Sequence, residues 1–307
     1  MSETMTAVAV TQFGAADVLR PITLPLPEPG PGEVRLRVRA AGVQPFDIAV
    51  RQGTGPPAQA AVLPQVIGNE YAGVVDAVGD GVDSVAVGDD VLGFAVFGSY
   101  AEYRIAPAEN VVRKPASMPW EVAGSFTAGA QTAAMAVEDL GVRAGETLLV
   151  HAGAGAVGTM AIQLARLRGA TVIATARQAN HDYLRDLGAI PVEYGDGLVD
   201  RVRAVAPRGM DAALDGAGVV ALEASIELGV GRDRIVTLVV WDRFAEFGVR
   251  RVSGTRSATR LAALVDLYDR GLLRAHVRSR YPLANAADAH REVETGHGRG
   301  RVVLVIP

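Results

Sequence analysis

The sequence predicts an α/β protein with a β-rich N-terminal region and a doubly wound parallel sheet in its second part. Two observations predict this fold. The first hundred residues contain short alternating stretches broken by glycines, which favours a small antiparallel barrel or sandwich. From residue 147 onwards, short apolar runs alternate with stretches of helical spacing, which favours a parallel sheet covered by helices.

The clearest N-terminal strand covers residues 32–42, where every second residue from Val34 to Ala40 is apolar and the residues between are charged or polar. An alternation of this period is typical of a strand with one buried face. Further strands are predicted at 72–78 and 91–94, next to turns rich in glycine and aspartate.

The second part opens with a strand at 147–151, a helix that ends near Gly169 and a strand at 171–175, which together make one βαβ unit. More strands and helices follow in alternation. They are predicted as a helix at 182–186, strands at 212–214 and 234–240, helices near 261–268 and 284–293, and a final strand at 302–306.

Length and composition exclude several classes of protein. The 307 residues favour two domains, and 49% apolar with 21% charged residues is typical of a globular protein. A net charge of −4 without a basic block gives no support for a nucleic-acid or membrane partner. No apolar run is long enough for a membrane span, and the N-terminal MSETM lacks the features of a secretory signal. A cytoplasmic protein is expected.

The most specific local motif is a G-x-G-x-x-G loop between the first strand and the helix of the βαβ unit. It consists of Gly153, Ala154, Gly155, Ala156, Val157 and Gly158. Glycines in this pattern allow a tight turn and let the backbone approach a pyrophosphate, which the helix N-terminus then binds. The loop predicts a dinucleotide site. A plain structural turn or a site for another nucleotide-like ligand, such as a methyl donor, is the alternative.

The residue after the second strand of this unit indicates which dinucleotide binds. A site for NAD has an acidic residue about 20 positions beyond the loop, which binds the ribose 2′-hydroxyl. Here Arg177 follows the strand and no carboxylate stands there. NADPH is therefore the predicted cofactor, and the alternative is that Arg177 is only a solvated surface cation.

Several further motifs occur in a fixed order along the chain. They are AGVQPFD (41–47), IGNEYAGVV (67–75), VGDDV (87–91), GSYAEY (98–103), QTA (131–133), HAGAGAVG (151–158) and GRGRVV (298–303). With these motifs the chain resembles, over nearly its whole length, the zinc-independent quinone oxidoreductases (zeta-crystallin-like) of the medium-chain dehydrogenase/reductase superfamily.

The resemblance implies a GroES-like catalytic domain from residues 1–118 and 263–307, with a Rossmann NADP-binding domain at 119–262 between its two parts. It also implies an active site in the cleft between these domains, and a homodimer. For the cofactor it points to Thr132 beside the nicotinamide, Tyr194 near the 2′-phosphate, and Leu238, Val239 and Val240 along the nicotinamide. Packing alone is the alternative role for Thr132 and for the residues at 238–240.

The same resemblance predicts that catalytic zinc is missing. Zinc-dependent relatives place a cysteine near Gln44 and a histidine in a Gly-His-Glu triplet, which here reads GNE at 68–70, and the chain has no cysteine. Its histidines, at 151, 181, 276, 290 and 297, form no close pair. His151 ends a buried strand and is interpreted as a packed residue.

Gln44, Asp47 and Tyr71 are the candidates for polar groups near the acceptor. Gln44 stands where the family commonly has asparagine, whereas a tyrosine that the family often has a few residues later is missing, since IAV fills 48–50. For Asp47 and Tyr71 the alternative is a role in stabilising the barrel. A site without metal suits conjugated acceptors, because they delocalise the negative charge that reduction produces.

The sequence therefore predicts a metal-free, NADPH-dependent reductase of quinones or α,β-unsaturated carbonyl compounds. Two alternatives stay open. The altered stretch at 44–50 motivates a tailoring reductase for one conjugated intermediate of secondary metabolism. The lack of an evident proton donor motivates a non-catalytic NADPH-binding protein.

Overall fold

The structure is a computed structural model that describes residues 3–296 and 298–307. Met1, Ser2 and His297, which entered the expectations above, lie outside this part. The chain divides into two compact units. Unit 1 consists of Met1–Ala128, Arg256–Arg270 and His276–Pro307, and unit 2 of Gly129–Thr255 and Gly271–Ala275. The domain bounds given above stay a prediction.

The described residues form strands and helices along the whole of both units. The strands are β1 (Thr4–Val10), β2 (Leu19–Pro25), β3 (Glu33–Val43), β4 (Gln65–Val66), β5 (Glu70–Val78), β6 (Asp90–Phe94), β7 (Tyr103–Pro107), β8 (Val111–Arg113), β9 (Thr147–Val150), β10 (Thr171–Thr175), β11 (Ile190–Val192), β12 (Ala212–Asp215), β13 (Ile235–Thr237), β14 (Arg250–Arg251), β15 (Val277–Pro282) and β16 (Arg301–Val305). The α-helices are α1 (Pro45–Gln52), α2 (Gly55–Gln59), α3 (Trp120–Ala123), α4 (Thr127–Asp139), α5 (Ala156–Leu167), α6 (His181–Asp186), α7 (Leu198–Val205), α8 (Val219–Glu227), α9 (Ala258–Asp269) and α10 (Ala286–Glu294). None of these helices combines the length and apolar character that a membrane crossing requires.

Unit 1 contains two β-sheets. One has the order β2-β1-β4, and the other has the order β15-β16-β3-β5-β6-β8, with β7 also paired to β3. The pairs are antiparallel except for β15 with β16. In β3 the alternating residues Val34, Leu36 and Val38 are fully buried and belong to the core of the unit, as the period-2 pattern predicts.

Unit 2 is built on a parallel sheet with the order β11-β10-β9-β12-β13-β14. Helices α5 to α8 connect its successive strands from β9 to β13. This order is that of the Rossmann fold, in which ligands bind where the strand order reverses, here between β9 and β12. The predicted fold class is confirmed in both units.

Most elements predicted in unit 2 lie where the sequence places them, but the strand predicted at 234–240 is shorter. It ends at Thr237, because the Thr237 hydroxyl oxygen accepts hydrogen bonds from the amides of Val239 (3.2 Å) and Val240 (3.1 Å) and so turns the chain. A side-chain bond to the local backbone competes with continued strand pairing. Periodicity alone does not contain this information.

Candidate active site

The glycine loop lies at the carboxyl end of β9 and leads into α5, beside the position where the strand order of unit 2 reverses. Two of its glycines are required by packing. A Cβ atom on Gly158 would lie 2.4 Å from the carbonyl oxygen of Ala152, and one on Gly153 would lie 2.8 Å from Cβ of Ala174. Glycine at these positions lets loop, helix and sheet approach one another.

Gly155 is different, because its backbone conformation does not require glycine and its neighbours leave more room than those of Gly153 and Gly158. Its φ of −73° and ψ of 175° are open to any residue, and an added Cβ would meet only the carbonyl oxygen of Ala152, at 3.3 Å. What the missing side chain leaves is space next to the first turn of α5. Space beside the amides and the positive dipole end of a helix fits a pyrophosphate group.

Arg177 and Tyr194, both predicted near a 2′-phosphate, are brought together. The Nε atom of Arg177 donates a hydrogen bond to the Tyr194 hydroxyl at 2.7 Å, and both side chains are exposed. Arg177 follows β10 and Tyr194 follows β11, which are neighbouring parallel strands. Arg201 donates to the backbone carbonyls of Glu193 and Asp196 and so holds the loop that carries Tyr194.

The residues predicted along the nicotinamide follow β13. Val239 is 49% exposed, whereas Val240 is buried. Thr237, whose oxygen accepts from their amides, in turn donates to Asp215 at 2.7 Å. The same carboxylate also accepts from the amides of the loop after β12, so it holds both loops at this edge of the sheet. Sequence reasoning missed Asp215.

Thr132, the other residue predicted beside the nicotinamide, is half-buried in α4. His151 is fully packed: its Nε2 atom lies 2.9 Å from the Ser225 hydroxyl, and its Nδ1 atom lies 3.4 Å from the Thr175 hydroxyl. Burial lowers the pKa of His151 to about 4, so its ring is neutral at physiological pH. His151 is therefore a packed residue, as the sequence predicts, but it lies directly after β9 and not within it.

Unit 1 contains a buried polar cluster around Gln44, which precedes α1 and is 9% exposed. The side-chain amide of Gln44 donates to a carboxylate oxygen of Glu70, and its backbone amide donates to Asp47 at 2.8 Å. Glu70 also accepts from the backbone amide of Ala128 at 2.7 Å. Two predicted candidates, Gln44 and Asp47, are thus brought together with Glu70, which the sequence reasoning did not single out.

The carboxyl groups of Asp47 and Glu70 are both fully buried. Burial raises the pKa of Asp47 to about 7, and the neighbouring charge of Glu70 adds to this effect. Hydrogen bonds from Gln44 and Tyr100 and the charge of Arg256 oppose it. Burial also raises the pKa of Glu70. A buried carboxyl group that titrates near neutral pH can act as a general acid or base.

Tyr71, the third candidate, lies in the core of unit 1. It is fully buried, the guanidinium of Arg104 lies 3.9 Å from its ring centroid, and its hydroxyl has no hydrogen-bond partner among the described residues. A Cβ atom on Gly93 would lie 2.5 Å from this hydroxyl, so the ring fills the space above that glycine. These contacts favour the structural alternative, and a role for Tyr71 at the acceptor stays a prediction.

Tyr100 and His290 were also missed. The Tyr100 hydroxyl lies 3.3 Å from Oδ2 of Asp47 and 3.1 Å from Nε2 of His290. The two residues are separated by 190 positions in the chain, so no local pattern connects them. Tyr100 occurs in one of the motifs that carry the resemblance, and this was the only signal available for it.

The polar cluster does not fit a zinc ion. Asn69 is buried, and its backbone carbonyl accepts from Arg256 at 3.3 Å, while the Gln44 amide donates to Glu70. Amide nitrogens and a guanidinium are not zinc ligands, and the chain has no cysteine. Across residues 3–296 and 298–307, no group of three or more histidine, aspartate and glutamate side chains could hold a metal ion.

Comparison with known proteins identifies the family. The model of the alcohol dehydrogenase GroES-like domain matches residues 30–116, and that of the zinc-binding dehydrogenases matches 187–304. The structure of a quinone oxidoreductase from Coxiella burnetii superposes with a TM-score of 0.90 at 32% identity, over 99% of this chain and 100% of that chain.

Two further relatives agree with this. A mycobacterial protein solved in complex with NADPH superposes with a TM-score of 0.86 at 33% identity, over 98% of this chain and 99% of that chain. Human quinone oxidoreductase is 29% identical over 326 aligned positions that cover 98% of each chain. The chain therefore belongs to the medium-chain dehydrogenase/reductase superfamily, as an oxidoreductase of the quinone oxidoreductase type.

Proposed function

We propose that this protein uses NADPH to reduce a quinone or an α,β-unsaturated carbonyl compound without a metal ion. The observation that carries the proposal is the hydrogen-bonded pair of Arg177 and Tyr194, at the edge of the sheet where the glycine loop also lies. A guanidinium beside a phenol suits the charge and the acceptor oxygens of a 2′-phosphate. A free 2′-hydroxyl would call for a carboxylate at this position.

The remaining cofactor contacts follow from unit 2. The loop at 153–158 would hold the pyrophosphate, with Gly155 leaving the space for it. The residues at 238–240, held by Thr237 and Asp215, would lie along the nicotinamide, together with Thr132. The relative solved with NADPH supports the same cofactor.

The acceptor class follows from the polar cluster of unit 1. NADPH, when bound, supplies the hydride. Gln44 would position the acceptor through its side-chain amide, and Asp47, whose raised pKa lets it hold a proton, would donate to the oxygen on which the negative charge develops. Without a Lewis acid, this stabilisation favours acceptors that themselves spread the charge, as quinones and enones do. A plain ketone would receive too little help.

The test is a cofactor-oxidation screen of the purified protein. NADPH and NADH are each offered with simple quinones, 2-alkenals and plain ketones, and the loss of reduced cofactor is followed by absorbance. We expect turnover of quinones or enones with NADPH, weaker turnover with NADH, and none of plain ketones. A chelator should leave the rate unchanged. Ketone reduction that is lost on chelation would contradict the proposal.

Two other outcomes would favour the alternatives. Tight binding of NADPH without oxidation across the whole panel would favour a non-catalytic NADPH-binding protein. Turnover restricted to a large conjugated intermediate would favour a tailoring reductase. The homodimer and the cytoplasmic location stay predictions, and light scattering on the purified protein tests the first of them.

A further inference from the structure

Three fully buried side chains of unit 1 form one hydrogen-bonded line. Asp47 lies in the first turn of α1, Tyr100 in the segment between β6 and β7, and His290 on α10. The Tyr100 hydroxyl lies 3.3 Å from Oδ2 of Asp47 and 3.1 Å from Nε2 of His290. The line therefore joins Gln44, which is bonded to Asp47, with the helix that follows β15.

The line has a direction. The Tyr100 hydroxyl has a single proton and donates it to Asp47, so its oxygen accepts the Nε2 proton of His290. At the two ends, Oδ1 of Asp47 and Nδ1 of His290 are buried and have no hydrogen-bond partner among the described residues. Each of these two atoms can bond a further group, but neither touches solvent, so such a group reaches it only when the surrounding side chains open. The atoms inside the line are paired.

We propose that Asp47, Tyr100 and His290 form a relay that delivers the proton needed to complete the reduction of the acceptor. This inference rests on the proposed function. Hydride transfer brings two electrons and one hydrogen nucleus to the acceptor and leaves negative charge on its oxygen. The O–H bond at Oδ1 of Asp47 then breaks, and its proton forms the new O–H bond of the acceptor.

The relay restores the acid in three linked transfers. Tyr100 passes its hydroxyl proton to Oδ2 of the Asp47 carboxylate, His290 passes its Nε2 proton to Tyr100, and Nδ1 of His290 takes a proton from water. A turn of the Asp47 carboxyl group and exchange of the His290 ring proton back to Nε2 then return the line to its starting state before the next turnover. The sum consumes one NADPH, one acceptor and one proton from solvent, and it produces NADP⁺ and the reduced acceptor. No further oxidant or reductant is needed.

The charges around the line suit this task. Asp47 faces Glu70 and Arg256, and burial raises its pKa to about 7, so it holds a proton in a large share of molecules near neutral pH. His290 faces Tyr100 and the guanidinium of Arg51, which pairs with Glu294. Burial and the charge of Arg51 lower the pKa of His290 to about 3, so the ring stays neutral and passes protons without retaining one.

The first test is Tyr100→Phe, which removes the hydroxyl and keeps the ring that packs edge-on against His290. We expect kcat to fall about 10- to 100-fold, in the range of general acid catalysis, while KM for NADPH changes less than about 2-fold. The matched control is Tyr281→Phe, which removes a hydroxyl that donates to Glu292 in the same unit. The control should leave kcat unchanged.

The second test uses the pH dependence. Because the acid must be protonated, kcat of the wild type should fall as the pH rises through about 7. Asp47→Asn cannot donate a proton and should have a low kcat that is independent of pH. His290→Gln should lower kcat as Tyr100→Phe does, and in the wild type a solvent deuterium isotope effect on kcat should accompany the proton transfer.

A readout without turnover comes from nitrogen NMR of the cofactor-free protein with isotope-labelled histidine, in which His290→Gln assigns the signal. His290 should be the Nε2–H tautomer and should remain neutral between about pH 5 and 8. A Nδ1–H tautomer would reverse the direction of the line and overturn the proposal. The tautomer is measured on the wild type, and the only variant it needs, His290→Gln, serves for assignment and does not have to be active.

The outcomes separate the relay from the proposed function. If the wild type turns over quinones but Tyr100→Phe and His290→Gln keep its kcat and pH profile and lose only thermal stability, the line is structural and the relay is wrong. If the wild type binds NADPH but none of the acceptors offered leads to its oxidation, the proposed function fails, and the relay fails with it.

Discussion

The glycine loop of unit 2 and the polar cluster of unit 1 are assembled in different ways. The loop is a run of consecutive residues, 153–158, whose function would rest on backbone amides and on a missing side chain. The cluster collects Gln44, Asp47, Glu70, Tyr100 and His290 from distant segments, and it depends on side chains. A site made of backbone is local in the sequence, whereas a site made of side chains is local only in space.

The two regions also differ in how they respond to pH. The loop contains no titratable group, but the cluster contains buried carboxyl groups with raised pKa values. Cofactor binding by the loop should therefore depend little on pH near neutrality, and the behaviour of the cluster should depend on it strongly. The predictions below test this contrast.

The largest effect is expected for Gly155→Val. An added side chain occupies the space proposed for the pyrophosphate, and its Cβ atom makes one tight contact, 3.3 Å from the Ala152 carbonyl oxygen. The Kd for NADPH should therefore rise at least about 100-fold, as expected from the loss of two charge-assisted hydrogen bonds. The melting temperature should change little. Cofactor fluorescence and thermal unfolding measure the two quantities.

The matched control is Gly158→Val. Its Cβ atom would clash with the carbonyl oxygen of Ala152, so this variant should lose stability as well as binding. If Gly155→Val binds NADPH as the wild type does, the loop is only a turn.

The second prediction concerns stability and pH in unit 1. The pKa of Asp47 is about 7 in the folded protein and 3.8 for an ordinary aspartate, the value expected in the unfolded chain. Between pH 3.8 and about 7, the folded protein therefore keeps a proton on Asp47 that the unfolded chain has lost. The contribution of Asp47 to stability is thus full below about pH 4 and is lost as the pH rises through about 7, by a few kcal/mol. Asp47→Asn should remove this loss, as urea unfolding at a series of pH values would measure.

For His151 in unit 2, the stability contribution changes with pH in the opposite direction. Its pKa is about 4 when folded and 6.5 ordinarily, so its contribution to stability is present above about pH 6.5 and is lost as the pH falls through about 4. In a plot of the free energy of unfolding against pH, His151→Gln should reduce the fall in stability between about pH 6.5 and 4. Asp47→Asn should instead reduce the fall in stability as the pH rises from about 4 to 7. Identical curves for the wild type and both variants would remove the contrast between the two regions.

A smaller effect is expected for Arg177→Ala. Loss of one charged contact to the 2′-phosphate should raise the Kd for NADPH about 10-fold and leave NADH within about 2-fold. Arg185→Ala, which removes an exposed guanidinium on the nearby helix α6, is the control. Equal losses for both cofactors would show that Arg177 does not recognise the phosphate.

The smallest effect is expected for Tyr194→Phe. The variant keeps the ring and removes the hydroxyl that accepts from Arg177, so the Kd for NADPH should rise only about 3-fold, the usual value of one hydrogen bond. Isothermal titration with both cofactors measures it. A loss larger than that of Arg177→Ala would make Tyr194 the main contact.

Elements that depend on local sequence signals could be predicted, whereas features that depend on side-chain contacts could not. The strand predicted at 171–175 is β10 itself, and the helix predicted to end before Gly169 is α5, because periodicity and a glycine stop are local signals. The strand predicted at 234–240 is too long, because the Thr237 hydroxyl ends β13. The position of Tyr71 in the core could not be predicted either, because an alternating strand does not tell which face meets which neighbour.

The sequence by itself determined the strand–helix–strand unit at 147–175, the glycine loop and the cation that follows β10, since each depends on neighbours in the chain. Only the tertiary structure decided that Asp47 meets Tyr100 and that Tyr100 meets His290. Tyr100 and His290 are 190 positions apart in the chain, so their contact depends on how whole sheets and helices pack. The same packing buries Asp47 and thereby sets both its pKa and its hydrogen-bond partners.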